Sequence, residues 1–167
     1  MTALPTNLHI TNERVVQLSI TPQPLTVTIG EPFELSYDVS AVGTLPLRDM
    51  QLNIDTDHLT PLSARVNGGS CTLEATFGMV FCRLGDIAIG TPQRIRVQWV
   101  ANTAGEVAGQ VEAFETANRN TSASDRFVIR VLPARDIGIS TSDFFRRVAV
   151  GQTQRIRCRS LPSAATP

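Results

Sequence analysis

The chain has 167 residues, 42% of them hydrophobic and 18% charged, with 15 basic residues balancing 15 acidic ones. A chain of this size buries roughly two thirds of its unfolded surface and needs no crosslink merely to fold. A formal charge of zero argues against nucleic acid or acidic membrane as partner, since both call for clustered positive charge.

The start, "MTALPTNLHITNERVV", lacks the basic-then-apolar profile of a secretory signal, and no run reaches the length of a membrane helix. Met1 therefore either opens a piece of a longer secreted chain or begins a protein made without export. Residues 1–14 read as an N-terminal extension. Beyond them the apolar period is two. "VVQLSI" sets Val16, Leu18 and Ile20 on one face, and "LTVTIG" does the same with Leu25, Val27 and Ile29 while its threonines point away. After the turn at Gly30-Glu31-Pro32, "FELSYDV" alternates Phe33, Leu35, Tyr37 and Val39 against Glu34, Ser36 and Asp38. "DMQLNID" alternates again.

The next stretch, "NIDTDHLTPLS", reads as a solvated loop between strands. It holds an acid, a base and a hydroxyl in Asp55, Asp57, His58 and Ser63. Closeness in sequence is not triad geometry, and no nucleophile elbow or glycine-rich phosphate loop accompanies them. Asp55 and Asp57 offer oxygens of the kind calcium takes, without a fuller ligand set beside them.

"GGSCTLEATFGMVFCRLGDIAIG" follows, with Cys71 and Cys82 eleven positions apart. Read as a hairpin, it pairs Cys71 with Cys82, Leu73 with Val80 and Ala75 with Gly78, leaving Thr76 and Phe77 at the tip. Facing cysteines on adjacent antiparallel strands come close enough for a bridge. A reduced structural pair and a catalytic thiol remain as alternatives on spacing alone. Zinc would want a CxxC pair or nearby histidines, and His9 and His58 have no such spacing. Cys158 is left over, as a free thiol or one that pairs outside the chain.

"IRVQWVA", "EVAGQVEAFET" and "DRFVIRVLP" complete the alternating segments, and Asn120-Thr121-Ser122 reads as a polar hairpin turn despite fitting the glycosylation pattern. The expected core is Leu18, Ile20, Leu35, Tyr37, Ile95, Val97, Trp99 and Val131. Nowhere do apolar residues recur at helical spacing for three turns. Many short strands with frequent turn signals predict an all-β, immunoglobulin-like antiparallel β-sandwich over residues 15–132.

"LSITPQPLTVTIGEPFELSYDV" is echoed by "IGISTSDFFRRVAVGQTQRIRCRS", which matches Gly30 to Gly151 and Tyr37 to Cys158. Residues 133–136 thus read as a linker, and 137–167 as the opening strands of a second repeat or as strands that pair with a partner.

These blocks resemble a bacterial surface conserved repeat, the domain of unknown function eleven, an immunoglobulin-like family of secreted and cell-surface proteins. The resemblance rests on three blocks: "TVTIGEPFELSYDV", "GSCTLEATFGMVFCRLGDIAIG" against the pattern G-x-C then V-x-C-x-L-G, and "TAGEVAGQVEAFETANRNTSASDRFVIRVLP". It spans roughly Val15 to Leu132 and restarts at Asp136. The stretch from Thr44 to Pro61 departs from it, lacking the asparagine-glycine-rich loop the family usually has there. The resemblance implies an extracellular structural or adhesive module with no catalytic residues to carry over. The facing register and the family block together lead us to expect a Cys71–Cys82 disulfide, and the further expectations are protein partners or neighbouring repeats, no cofactor and no metal. The alternative is a self-assembling subunit of a filament or viral particle, a homo-oligomer built through residues 137–167.

Overall fold

Leu35, Tyr37 and Val39 on one strand and Ile95, Val97 and Trp99 on its neighbour are all 0% exposed, which is what period-two alternation on two adjacent strands produces when one face meets a second sheet. The computed structural model describes residues 12–23 and 25–134. The chain divides into two units, Met1–Pro133 and Ala134–Pro167, and the strands described belong to the first. The partial second repeat and Cys158 lie outside the described residues.

The strands are β1 (Val16–Thr21), β2 (Leu25–Thr28), β3 (Pro32–Ala41), β4 (Leu47–Thr56), β5 (Leu59–Val66), β6 (Ser70–Glu74), β7 (Met79–Ile87), β8 (Gln93–Ala101), β9 (Gly105–Glu115) and β10 (Ser122–Leu132). They form a four-stranded sheet in the order β1-β3-β8-β5 and a six-stranded sheet in the order β2-β10-β9-β4-β7-β6. The described residues contain no helix. The fold is an all-β, immunoglobulin-like sandwich. One pairing departs from the antiparallel expectation, because β2 runs parallel to β10, with Leu25 opposite Ile129 and Thr28 opposite Leu132.

Two aromatic rings join the sheets: Tyr37 of the smaller sheet and Phe127 of the larger lie tilted at 60° with centroids 6.3 Å apart. Gly109 stands opposite Phe127 on β9, and a Cβ there would come within 2.2 Å of the ring. The missing side chain is the space the ring occupies. Burial pushes the Tyr37 hydroxyl above its ordinary value, and the Trp99 indole beside it opposes that shift. The contact falls short of hydrogen-bond geometry, since neither Tyr37 Oη nor Trp99 Nε1, both buried, has a hydrogen-bond partner among the described residues.

Of the expected core residues, seven are buried and Leu18 is only half-buried, packed against the margin of the core. It lies on β1, an edge strand of its sheet, where cover comes from one side. A second correction concerns "NIDTDHLTPLS". It is not a loop: Asp55 lies within β4, whose last residue is Thr56, Asp57 and His58 form a two-residue connection, and Ser63 belongs to β5. Pro61 sits on that edge strand opposite Trp99, and the register shifts between Pro61 and Ser63. A bulge of this kind and an edge proline both spoil the alternation that sequence reading depends on.

The chain changes sheets twice between edge strands. It passes from β1 to β2 through a stretch that opens with a cis Thr21–Pro22 peptide, and from β5 to β6 through Asn67-Gly68-Gly69. At the second crossing Gly68 takes a φ of +74°, and a Cβ on Gly69 would lie 2.2 Å from the Arg83 carbonyl oxygen.

Candidate functional site

The cysteine hairpin pairs in the expected register, with Cys71 opposite Cys82, Leu73 opposite Val80 and Glu74 opposite Met79. Its connection is the four residues Ala75–Gly78, longer than the two-residue tip expected. Cys71 and Cys82 are bonded, with S–S 2.05 Å and Cα–Cα 4.1 Å. Cys82 is buried and Cys71 half-buried, so the bond ties the edge strand β6 to the core through β7. Gly78 docks the tip of the hairpin. Its carbonyl accepts a 3.0 Å hydrogen bond from Thr56 Oγ1, its φ is +66°, and a Cβ would lie 2.2 Å from the Thr56 carbonyl oxygen. Phe77 beside it is 66% exposed.

The docked tip abuts the β4–β5 connection, so the candidate acids and the hairpin share one end of the sandwich. Asp55 stands opposite Gln110 of β9 and Met79 of β7. Asp55 and Asp57 border one shallow, open depression with Thr56, Ala108, Gly109, Gln110 and Arg126. Its remaining charged group is thus an arginine. Among the described residues no three His, Cys, Asp or Glu side chains gather as metal ligands. Ser63 lies elsewhere: it is opposite Gln98 of the four-stranded sheet and its hydroxyl donates to Gln98 Oε1 at 3.5 Å. Asp55 and Ser63 therefore belong to different sheets, and the structure does not assemble them with His58.

The opposite end of β4 carries a polar lock that sequence reading did not find. Asp49 has a φ of +43° at the register shift between Leu47 and Met50. Asp86 accepts from the Asp49 N–H at 2.9 Å and pairs with Arg48. The Asp49 N–H, and after it the Arg48 side chain, hold the Asp86 carboxyl below its ordinary value of 3.8. Glu115 is only 2% exposed, and it is satisfied by the Arg48 N–H at 2.7 Å and by Arg14 Nε at 3.7 Å.

The outer face of the four-stranded sheet is the second place where charge gathers. Arg94 and Asp38 face each other on β8 and β3 and form two hydrogen bonds of 2.7 and 2.9 Å. On the adjoining strand Arg65 lies directly opposite Arg96.

No family model matches the chain, and no curated protein does. Among solved structures it is similar to a chain of a type I cohesin–dockerin complex from Clostridium thermocellum, with a TM-score of 0.50 at 8% identity over 73% of this chain and 97% of that one. It is also similar to AvmM, which catalyses macrocyclisation in alchivemycin A biosynthesis, with a TM-score of 0.48 at 13% identity over 72% and 89%. The C-terminal domain of the antigen I/II-family protein AspA of Streptococcus pyogenes gives 0.49 at 11% identity over 70% and 46%. At 8% identity the first likeness bears on the fold alone, and the class it defines is the immunoglobulin-like β-sandwich. Fold does not decide chemistry.

Proposed function

We propose that the chain is a non-catalytic extracellular module, structural or adhesive, of a repeat-containing surface protein. The observation that carries this reading is the Cys71–Cys82 bond between two strands of one sheet, because such bonds form and persist in oxidising compartments. Three further points support it. The "GSC…VFCRLG" block, which resembles the bacterial surface repeat, occupies the stapled hairpin and its exit. Residues 137–167, which echo the start of the sandwich, read as the next copy after a linker at 133–136. A chain of the same fold was solved in a cohesin–dockerin complex, a precedent for a sandwich of this kind that works by holding a protein partner.

The test is surface labelling of intact source cells with an antibody raised against the folded sandwich, together with a thiol count on unreduced protein. Labelling without permeabilisation, and one free thiol from Cys158 in the unfolded chain, are expected. Recovery only inside the cell, with three free thiols, defeats the reading.

A second reading, self-assembly through the terminal strands, is favoured by one observation. β2 pairs only with Ile129–Leu132 of β10, so among the described residues Ser122–Val128 have no partner strand on that side. Open edges invite incoming strands, although the exposed Asp125 and Arg126 on this one work against casual pairing. Sedimentation of the full chain decides: a monomer at high concentration removes this reading.

A further inference from the structure

We infer that Arg65 and Arg96 form a clamp for one carboxylate of an acidic side chain on a protein partner, which docks against the outer face of the four-stranded sheet. The inference rests on the proposal that this chain is an interaction module, and it names the kind of contact the module makes.

Arg65 on β5 and Arg96 on β8 are register partners, and both are exposed. Side chains directly opposite on neighbouring strands leave the sheet on the same face with Cβ atoms roughly 5 Å apart. Like charges in that position repel, so the arrangement weakens the sheet unless something neutralises it. Among the described residues no ion pair does. The ion pairs of the described residues use Arg14, Arg48 and Arg94, and among those residues no side-chain hydrogen bond holds Arg65 or Arg96. Arg94, two residues before Arg96 on the same face, shows the contrast: Asp38 opposite engages it with both oxygens. On that face Arg96 instead meets Ser36 of β3, which carries no charge.

A guanidinium presents a planar fork of donors matched to the two oxygens of a carboxylate. Two facing forks about one strand spacing apart offer one fork to each oxygen of a single inserted carboxylate. The neighbours can complete the seat with neutral groups, since Ser63 precedes Arg65 by two residues and Gln98 follows Arg96 by two.

The surrounding charges say which acid fits. Glu34 lies opposite Gln98 and Asp38 opposite Arg94, so carboxylates flank the arginine pair on the β3 side, and the chain as a whole has a formal charge of zero. An acidic polysaccharide, with a charge on every sugar, would lay further anions against Glu34 and Asp38. A protein surface of mixed charge can place one acid between the arginines and neutral or basic groups over Glu34.

The test follows the arginine Nε–Hε resonances of the full chain by NMR at low ionic strength. The probes are N-acetyl-glutamate methylamide, its uncharged glutamine counterpart, and polygalacturonate. The expected result is saturable shifts at Arg65 and Arg96 with the glutamate probe alone, roughly fivefold or more weaker in Arg65→Gln or Arg96→Gln and unchanged in Arg83→Gln on the other sheet. Both variants should melt no lower than the parent, because each removes the repulsion. Equal shifts at Arg83, or no saturable shift at Arg65 and Arg96, overturn the clamp and leave the surface-labelling result untouched. Polygalacturonate binding that persists at physiological salt, while the glutamate probe fails to bind, overturns the protein partner in favour of an acidic polysaccharide.

Discussion

The sandwich is closed along its two long sides by the same move carried out with different chemistry. On one side the chain leaves the edge of the four-stranded sheet at β1 and joins the edge of the other as β2, crossing a cis Thr21–Pro22 peptide. On the other it leaves at β5 and joins as β6, crossing Asn67-Gly68-Gly69. The first crossing is secured by backbone pairing, four residues of β2 parallel to β10. The second ends in a five-residue strand that is bonded covalently to its neighbour. Where the partner strand continues the ladder, hydrogen bonds suffice. Where the chain turns back at once into a short edge hairpin, a crosslink takes over, acting mainly by restricting the unfolded chain.

The two sides are separate closures over one core, and a change in the core reaches both. Trp99→Ala empties the layer that both sides cover and should cost about 3–5 kcal/mol, read as a drop in denaturation midpoint that is the same with the disulfide intact or reduced. A loss under about 1 kcal/mol would mean that Trp99 is not the packed centre.

Replacing both cysteines by alanine should cost about 3 kcal/mol on the chain-entropy account. Amides of β6 and the β6–β7 turn should exchange faster with solvent while those of β2 and β10 keep their protection. If β2 loosens as well, the two sides are not independent. Leu25→Ala probes the other closure and should cost about 1–2 kcal/mol, less than a fully buried leucine because Leu25 is half-buried. Here the exchange pattern should reverse, with β2 affected and β6 spared.

The smallest effect concerns pH and neither side. The Asp86 carboxyl is held below its ordinary value, first by the Asp49 N–H and then by Arg48. Its contribution to stability is therefore present above the ordinary carboxylate pKa of 3.8 and is lost as pH falls through the lower folded value. Asp86→Asn should flatten the acid limb of a stability–pH curve slightly. An unchanged limb would show that the lock at the head of β4 adds nothing.

What sequence reading could reach was set by local periodicity. Strands β3 and β8 were legible because Leu35, Tyr37 and Val39, then Ile95, Val97 and Trp99, alternate without interruption. The hairpin register was legible because turn length and facing cysteines fix it from within. β5 was hidden by Pro61 and by the bulge after it, which shift the phase between Pro61 and Ser63. That hidden shift also concealed the arginine pair, since Arg65 meets Arg96 only once the bulge is counted. The parallel pairing of β2 with β10 joins residues about a hundred positions apart, and no local pattern carries it. Phe114 falls on the outer phase of β9, opposite Gln51, yet is 2% exposed. Arg119 from the following turn lies 4.4 Å over its ring, a contact that periodicity cannot foresee.

The buried aromatic pair in the core also gives the protein an optical character. Its one tryptophan and one tyrosine are both 0% exposed, side by side in the same apolar layer. All of its indole emission arises from a single buried site. The colour of that emission therefore reports on whether water has reached the centre of the sandwich and is blind to what touches the outside, so a red shift on adding a partner means that the core has opened.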